Sequence, residues 1–342
     1  MRAGTAPSRP LVVLQSFPEP RATTNPYVVM LRDVLDRTPG VHVLTFSWRR
    51  ALTARYDVFH AHWPEILVSG QSPLKKLLRQ GLFVLLLLRL RLLRVPLVRT
   101  VHNLGFPEGI SRREVVLLRW AERVTALRIR INEVTEVDSS TPVETVLHGH
   151  YRDWYAPHSR RQRRAGRLAF VGQVRRYKGV DRLIGAFSGT ADEGLSLRIA
   201  GRPTSDDVAE QLRAAAAGDP RISLSLAFLS DSDLVAEVTE AELVVLPYRE
   251  MHNSGGVLAA LSLSTPVLVP DNEVNRRLAD EVGPGWIHTF LPPLSATDLT
   301  GALAAVRAEP PAGEPDLSRR EWTEVGTAHL RAYKRARTAV RR

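Results

Sequence analysis

Residues 168–187 read LAFVGQVRRYKGVDRLIGAF. The apolar run 168–171 predicts a buried strand, Gly172 a turn, and Arg175, Arg176 and Lys178 a basic loop. From Gly179 onward, Val180, Leu183, Ile184 and Phe187 recur at i, i+3, i+4 and i+7, the spacing of one buried helix face. Strand, glycine turn and helix in that order make the first half of a βαβ unit. The loop then lies at the carboxyl edge of the strand, where the helix N-terminus offers open amides and the positive end of its dipole. Cations just before such a helix favour a diphosphate. An ordinary βα turn with solvated basic residues reads the stretch equally well, so a second element has to decide.

That element is 245–271, VLPYREMHNSGGVLAALSLSTPVLVPD. A strand leaves at Pro247, the loop reaches Asn253, and a helix opens at Ser254, Gly255 and Gly256. Two glycines after a serine leave amides and a hydroxyl open to a phosphate without side-chain obstruction. Between the two loops strand and helix alternate: strands at 195–200, 222–226 and 243–246, helices at 206–216 and from Ser230. Beyond them come a helix at 255–262 and a strand at 266–269. Such alternation predicts a parallel sheet covered on both faces.

At 342 residues the chain divides naturally into two domains of about 150 to 170 residues. The 44% hydrophobic content is enough for full cores. No run approaches the roughly 20 apolar residues of a membrane span, and 11–15 is expected to be a first strand rather than a secretory signal. Absence of cysteine excludes disulfides and thiolate metal sites, and agrees with a cytoplasmic location. The net charge of +11 is carried by arginine except at Lys75, Lys76, Lys178 and Lys334. It favours an anionic membrane or a phosphorylated ligand over nucleic acid. The basic, aperiodic stretch 157–166, PHSRRQRRAG, is the expected linker between domains at 1–156 and 167–315. A closing helix is expected in 316–342.

The first half also reads as α/β, with strands at 11–15, 41–46, 57–60, 97–101, 126–131 and 143–147. Strand ends in open α/β sheets face the ligand crevice. The strand at 57–60 ends in His60, His62 and Glu65, and the strand at 97–101 in His102 and Asn103. As a metal set the first cluster lacks a third clear ligand. As acid, base or hydrogen-bonding groups, His62, Glu65 and His102 are candidates, and satisfied core histidines are the plainer alternative. Residues 73–94, PLKKLLRQGLFVLLLLRLRLLR, suit a helix with leucines on one half and cations on the other. Such a helix fits an anionic membrane interface, and a core helix of the first domain would explain the leucines equally well.

The segments FVGQVRRYKGVDRLIGAF, LRIAGRP and VVLPYREMHNSGGVLAALSLSTPVLVPD resemble the donor half of GT-B glycosyltransferases of the family 4-like group. The YKG, NSG and ALS…PV pattern is similar to a bacterial exopolysaccharide subgroup. The resemblance implies two Rossmann-like domains with an interdomain cleft, acceptor-binding in the first half and nucleotide-sugar-binding in the second. It also implies a C-terminal helix, here EWTEVGTAHLRAYKR, crossing back to the first domain.

On that resemblance Lys178 grips the donor diphosphate, helped by Gly172 and by the Ser254, Gly255 and Gly256 helix start. The family's second cation falls on Gln173, so Arg175 or Arg176 would have to replace it. Asn253, Gly201 and Arg202 are the candidates for sugar and nucleoside, and His102 matches a histidine near the reacting carbon. The family's paired glutamates fall on Met251 and Ala259, and Glu250 lies one residue from the first. The implied reaction is transfer from a nucleoside-diphosphate sugar to a hydroxyl, without bound metal. The acceptor is a lipid-linked sugar at the inner face of the plasma membrane, or a small soluble molecule. Retention, which the resemblance implies, needs no protein nucleophile, whereas inversion would call on Glu65 or His62 as base. A sugar-nucleotide epimerase and a non-catalytic partner subunit are the alternatives.

Overall fold

The computed structural model describes residues 9–341 except 22, 104, 108, 138, 139 and 250. The chain divides into two compact units, one of residues 1–149 and 320–342, the other of 150–319. The expected linker at 157–166 therefore lies inside the second unit. Hydrogen bonds from the Arg161 amide to Thr239 Oγ1 and from the Arg164 amide to the Glu240 carbonyl hold it there.

The first unit contains β1 (Leu11–Gln15), α1 (Pro26–Arg37), β2 (Val41–Leu44), α2 (Trp48–Thr53), β3 (Val58–Ala61) and α3 (Glu65–Val68). It continues through α4 (Pro73–Leu92), β4 (Leu97–Val101), α5 (Arg112–Arg123), β5 (Thr125–Arg130) and β6 (Val143–Thr145). The strands form one parallel sheet in the order β2-β1-β3-β4-β5-β6. Strand order reverses at β1, so the loops after β1 and β3 diverge and open a crevice at their carboxyl ends. Leu14, Phe59, Phe83, Leu86, Leu87, Leu90 and Leu118 form the core under α4 and α5. Ser111 and Glu114 make the capping box that starts α5.

The second unit runs α6 (Arg152–Tyr155), β7 (Arg167–Val171), α7 (Val180–Ser188), β8 (Ser196–Ala200), α8 (Asp206–Ala216), β9 (Ile222–Ser225) and α9 (Asp231–Glu240). It closes with β10 (Leu243–Val245), α10 (Gly255–Ser262), β11 (Val267–Pro270), α11 (Glu273–Val282), β12 (Ile287–Phe290) and α12 (Ala296–Ala308). Its parallel sheet has the order β12-β11-β10-β7-β8-β9. The reversal lies between β7 and β10, the strands that feed the two loops singled out in the sequence. Elements α11, β12 and α12 lie beyond the alternation read from the sequence, and the helices are marked by caps at Asn272 and at Ser295 with Asp298.

The last helix, α13 (Trp322–Arg341), belongs to the first unit and follows a 3-10 turn at Ser318–Arg320. Its Tyr333 is fully buried, with the hydroxyl 3.2 Å from Gln15 Nε2 and 2.8 Å from His60 Nδ1. Among the described residues no helix is long and apolar enough to cross a membrane.

The loops after β7 and β8 run side by side, joined by hydrogen bonds from the Gly172 amide to the Ala200 carbonyl and from the Val174 amide to the Arg202 carbonyl. This contact needs glycine. At Gly201 φ is +149°, and a Cβ there would lie 1.9 Å from the Gly172 carbonyl oxygen. Gly201→Ala is expected to destabilise the second unit by about 2–4 kcal/mol. Thermal unfolding checks this, and a midpoint equal to that of the parent chain would refute it.

Candidate active site

The carboxyl edge of the second unit's sheet gathers one group of expected residues. Lys178 ends a short turn at Arg176–Lys178, after which Gly179 adopts φ +64° and starts α7. Gly179 packs so closely on the Pro247 carbonyl that a Cβ would sit 2.3 Å from it, which joins the two loops at the strand-order reversal. The Lys178 side chain folds back toward Gly172, with Nζ 5.1 Å from the Tyr248 ring centroid and 5.8 Å from that of Phe170. Among the described residues it makes no ion pair. Burial, helped by the Arg175 charge, pulls its pKa down to about 8 from the usual lysine range.

Tyr248 carries the site across to the second loop. Its ring is buried beneath Lys178, its hydroxyl is hydrogen-bonded to the Ser254 side chain, and burial raises its pKa. Ser254 caps α10 by accepting from the Val257 amide. The amides of Gly255 and Gly256, in the first turn, have no acceptor within the helix. A Cβ at Gly256 would lie 3.5 Å from the Tyr248 hydroxyl, and one at Gly255 would lie 3.2 Å from the Tyr151 hydroxyl. Ammonium, tyrosine hydroxyl and helix N-terminus thus line one cradle whose chemistry suits a diphosphate. Tyr248 and Tyr151 carry no motif of their own, and only the fold brings them here.

Other expected residues stand apart. Arg175 is exposed and donates from Nε to Gln173 Oε1 at 3.0 Å. Arg175 and Arg176 line a groove with Asp181, Gln211 and Arg249 beside α7 and α8. Lys178 is therefore the cation that turns inward. Arg202 is exposed, and Asn253 is half-buried next to Ser254. Glu250 lies outside the described residues. Met251 is buried, its carbonyl accepting from Asn272 Nδ2 at 3.0 Å and its sulfur 3.3 Å from Asn275 Nδ2. Ala259 is buried within α10.

The first unit holds a second cluster at the carboxyl edge of its sheet, beside the strand-order reversal. His62, Trp63, Glu65, Arg99, His102 and Asn103 line a narrow recess at the ends of β3 and β4. His102 stacks on Trp63, with ring centroids 4.2 Å apart and 17° between planes. Its Nε2 lies 3.3 Å from His62 Nδ1, and His62 Nε2 lies 3.0 Å from Gln15 Oε1. Gln15 Oε1 can only accept, so His62 carries its hydrogen on Nε2 and accepts on Nδ1. His102 then carries its hydrogen on Nε2.

Burial holds His60 and His62 well below the ordinary histidine range, and neighbouring histidine charges add to the shift. Burial likewise brings His102 to about 3, with His148 and Arg99 contributing. The network is therefore neutral. This corrects the expectation of His62 as a base, because it is buried with both ring nitrogens engaged. Glu65 opens α3 half-exposed, and burial raises its pKa despite the opposing Arg99 charge. Among the described residues no group of three or more His, Cys, Asp or Glu could hold a metal ion.

Residues 165–306 match the family described as "Glycosyl transferases group 1". Across 332 residues, 97% of this chain and 94% of the relative, it is 45% identical to the GDP-mannose:glycolipid 4-beta-D-mannosyltransferase of Xanthomonas campestris pv. campestris. The chain belongs to the group 1 glycosyltransferases. Its fold is GT-B-like. Anabaena HepE, solved with UDP and glucose, aligns over 97% of both chains with TM-score 0.60 at 14% identity. The catalytic domain of Arabidopsis thaliana starch synthase IV, solved with ADP and acarbose, aligns over 97% of this chain and 100% of that one with TM-score 0.62 at 10% identity.

The lowered Lys178 pKa gives this glycosyltransferase a testable pH dependence. Below about pH 8 the ammonium is charged and attracts a diphosphate, and above it affinity falls by up to about tenfold per pH unit. Arginine stays charged throughout. Titration calorimetry with nucleoside diphosphates between about pH 7 and about pH 9.5 should show a decline in the parent that Lys178→Arg flattens. Parallel profiles would remove Lys178 from the cradle.

Proposed function

We propose that this glycosyltransferase moves mannose from GDP-mannose to a glycolipid hydroxyl and forms a β-linkage at O4. The observation carrying this reading is the 45% identity, over 97% of the chain, to a Xanthomonas campestris protein with that printed activity. The matched region, 97% of the chain, draws on both units rather than on one. The reading has the chain working at the cytoplasmic face of a membrane, where a nucleotide sugar and a glycolipid head group meet.

The chemistry follows from where charge develops. As the bond between C1 and the diphosphate breaks, negative charge gathers on the leaving phosphate oxygens. Lys178 and the amides of Gly255 and Gly256 are aligned to stabilise it, with Gly172 leaving room for the approach. Arg175 or Arg176 provides outer charge, and Gly201, Arg202 and Asn253 flank the sugar and nucleoside. These groups supply the compensating charge without a bound metal, so EDTA should leave the rate unchanged.

GDP-mannose carries its diphosphate in the α configuration, so a β product requires attack from the opposite face of C1. Inversion needs a base, which separates this reaction from the retaining alternative. Glu65 fits that role, since partial burial raises the basicity of its carboxylate while the recess leaves it open. The acceptor O4–H proton passes to Glu65, O4 bonds to C1, and GDP departs with the electrons of the broken bond. His102, neutral and held by His62, is suited to hydrogen-bond a sugar hydroxyl rather than to carry charge.

The test combines binding and stereochemistry. GDP should raise the thermal midpoint more than UDP or ADP does. With GDP-mannose and alkyl glycosides as glycolipid mimics, NMR of the product should show a β-mannosyl linkage. Preference for another base, or an α product, would overturn the donor or the mechanism respectively. Glu65→Gln should lower kcat by roughly 10²–10⁴-fold with GDP-mannose affinity unchanged. A fall in affinity with intact kcat would assign Glu65 to donor binding instead.

A further inference from the structure

Helix α4 has two apolar faces, and the fold uses one. Phe83, Leu86, Leu87 and Leu90 are buried in the core of the first unit. Leu74, Leu77, Leu78, Leu85, Leu88 and Leu92 lie on the opposite side and are 48% to 82% exposed. The sequence left a core helix open as an explanation of these leucines, but the core is built from their neighbours. At about 100° per residue the exposed six cover an arc of roughly 100°. Gly81 interrupts that arc beside an apolar groove toward α5, lined also by Val84, Leu117 and the exposed Val116. A contiguous apolar surface of this kind marks a binding face.

Charge selects the occupant. Lys75, Arg91 and Arg94 at α4, with Arg112, Arg113 and Arg119 on α5, are exposed around the stripe. Among the described residues none of them makes an ion pair. The acids of α5 are turned away from them, Glu114 bonded to Lys76 at 2.5 Å and Glu122 paired with Arg99. A second copy of the chain docked through a two-fold axis would set this cationic rim against itself. A bilayer rich in anionic phospholipid offers hydrocarbon for the leucines and phosphates for the rim.

We propose that the outer face of α4 and the adjoining arginines of α5 dock this enzyme on an anionic phospholipid bilayer. The proposal deepens the glycolipid-acceptor reading by naming the surface that meets the lipid. That surface is tied to the recess bearing Glu65. Ser69, which caps the end of α3, donates to Glu114, and Arg79 of α4 donates to the Ser69 carbonyl at 2.7 Å. Docking α4 therefore orients α3 and its first residue, Glu65, relative to the membrane.

The experiment is flotation of the full chain with vesicles of phosphatidylcholine alone or mixed with phosphatidylglycerol, with GDP binding measured alongside. The parent chain should float with the mixed vesicles and far less with the neutral ones. Leu77→Gln, Leu85→Gln and Leu88→Gln combined should weaken vesicle binding by roughly tenfold or more, and Arg112→Gln with Arg113→Gln should remove the preference for anionic lipid. GDP affinity should be unchanged in both, which separates lost docking from lost folding. Failure of the parent to bind mixed vesicles, or undiminished binding by the leucine variant, overturns the proposal. So does a parent dimer in solution that the leucine variant converts to monomer. Vesicle binding without mannosyl transfer would leave the docking face standing and remove the mannosyltransferase reading.

Discussion

A lysine ammonium held against two aromatic rings, without a carboxylate partner among the described residues, is the constraint on which the second unit's site depends. Removing a charge from water without pairing it is costly, and the lowered pKa of Lys178 reports that cost. An arriving anion offsets it, so the free site is poised for a ligand rather than balanced by itself. Keeping the ammonium inward requires a specific backbone. Gly179 must approach the Pro247 carbonyl, Gly201 must approach Gly172, and Tyr248 must lie beneath the side chain. The parallel sheet supplies the setting, because β7 and β10 are adjacent strands at the strand-order reversal and their loops flank the crevice that opens there.

The first unit meets a similar problem by the opposite means. Its polar cluster is a relay of neutral groups in which each donor faces an acceptor, from Tyr333 through Gln15 and His62 to His102. Burial suppresses protonation along the relay, so the ring orientations persist across the ordinary pH range. Charge enters at the edge, at Glu65, where partial burial makes proton uptake easier. The second unit thus holds a cation with no ion pair among the described residues, and the first a neutral hydrogen-bonded cluster beside a carboxylate of raised pKa.

Legibility in the sequence followed the range of the interactions. The βα turn at Gly172 and the helix start at Ser254 are local, written in glycines, a cap and a 3.6-residue period, and both were readable without the fold. The choice among Arg175, Arg176 and Lys178 was not, because it depends on which side chain Tyr248 and Phe170 can shelter. His60, His62 and His102 were readable as strand-end residues. Their protonation was not, since it comes from Gln15 and Tyr333, far away in sequence. In α4 the leucines are visible, but which side turns to the core is decided by Phe83, Leu86 and Leu90, which join the buried cluster of the first unit. The basic stretch at 157–166 looked like a linker because its composition is polar. Backbone hydrogen bonds to α9, invisible to composition, hold it in the second unit.

The loop at Met251 shows how a departure from the family pattern changes chemistry without dismantling the site. Where the resemblance implies a glutamate, a buried methionine anchors the loop through Asn272 and Asn275. Ala259, at the position of the second implied glutamate, is buried inside α10. A carboxylate at either buried position would have to leave water and find a partner, a cost that methionine and alanine do not carry. The Lys178 ammonium and the first-turn amides of α10 do not depend on those acids, so the cradle keeps its suitability for an anion.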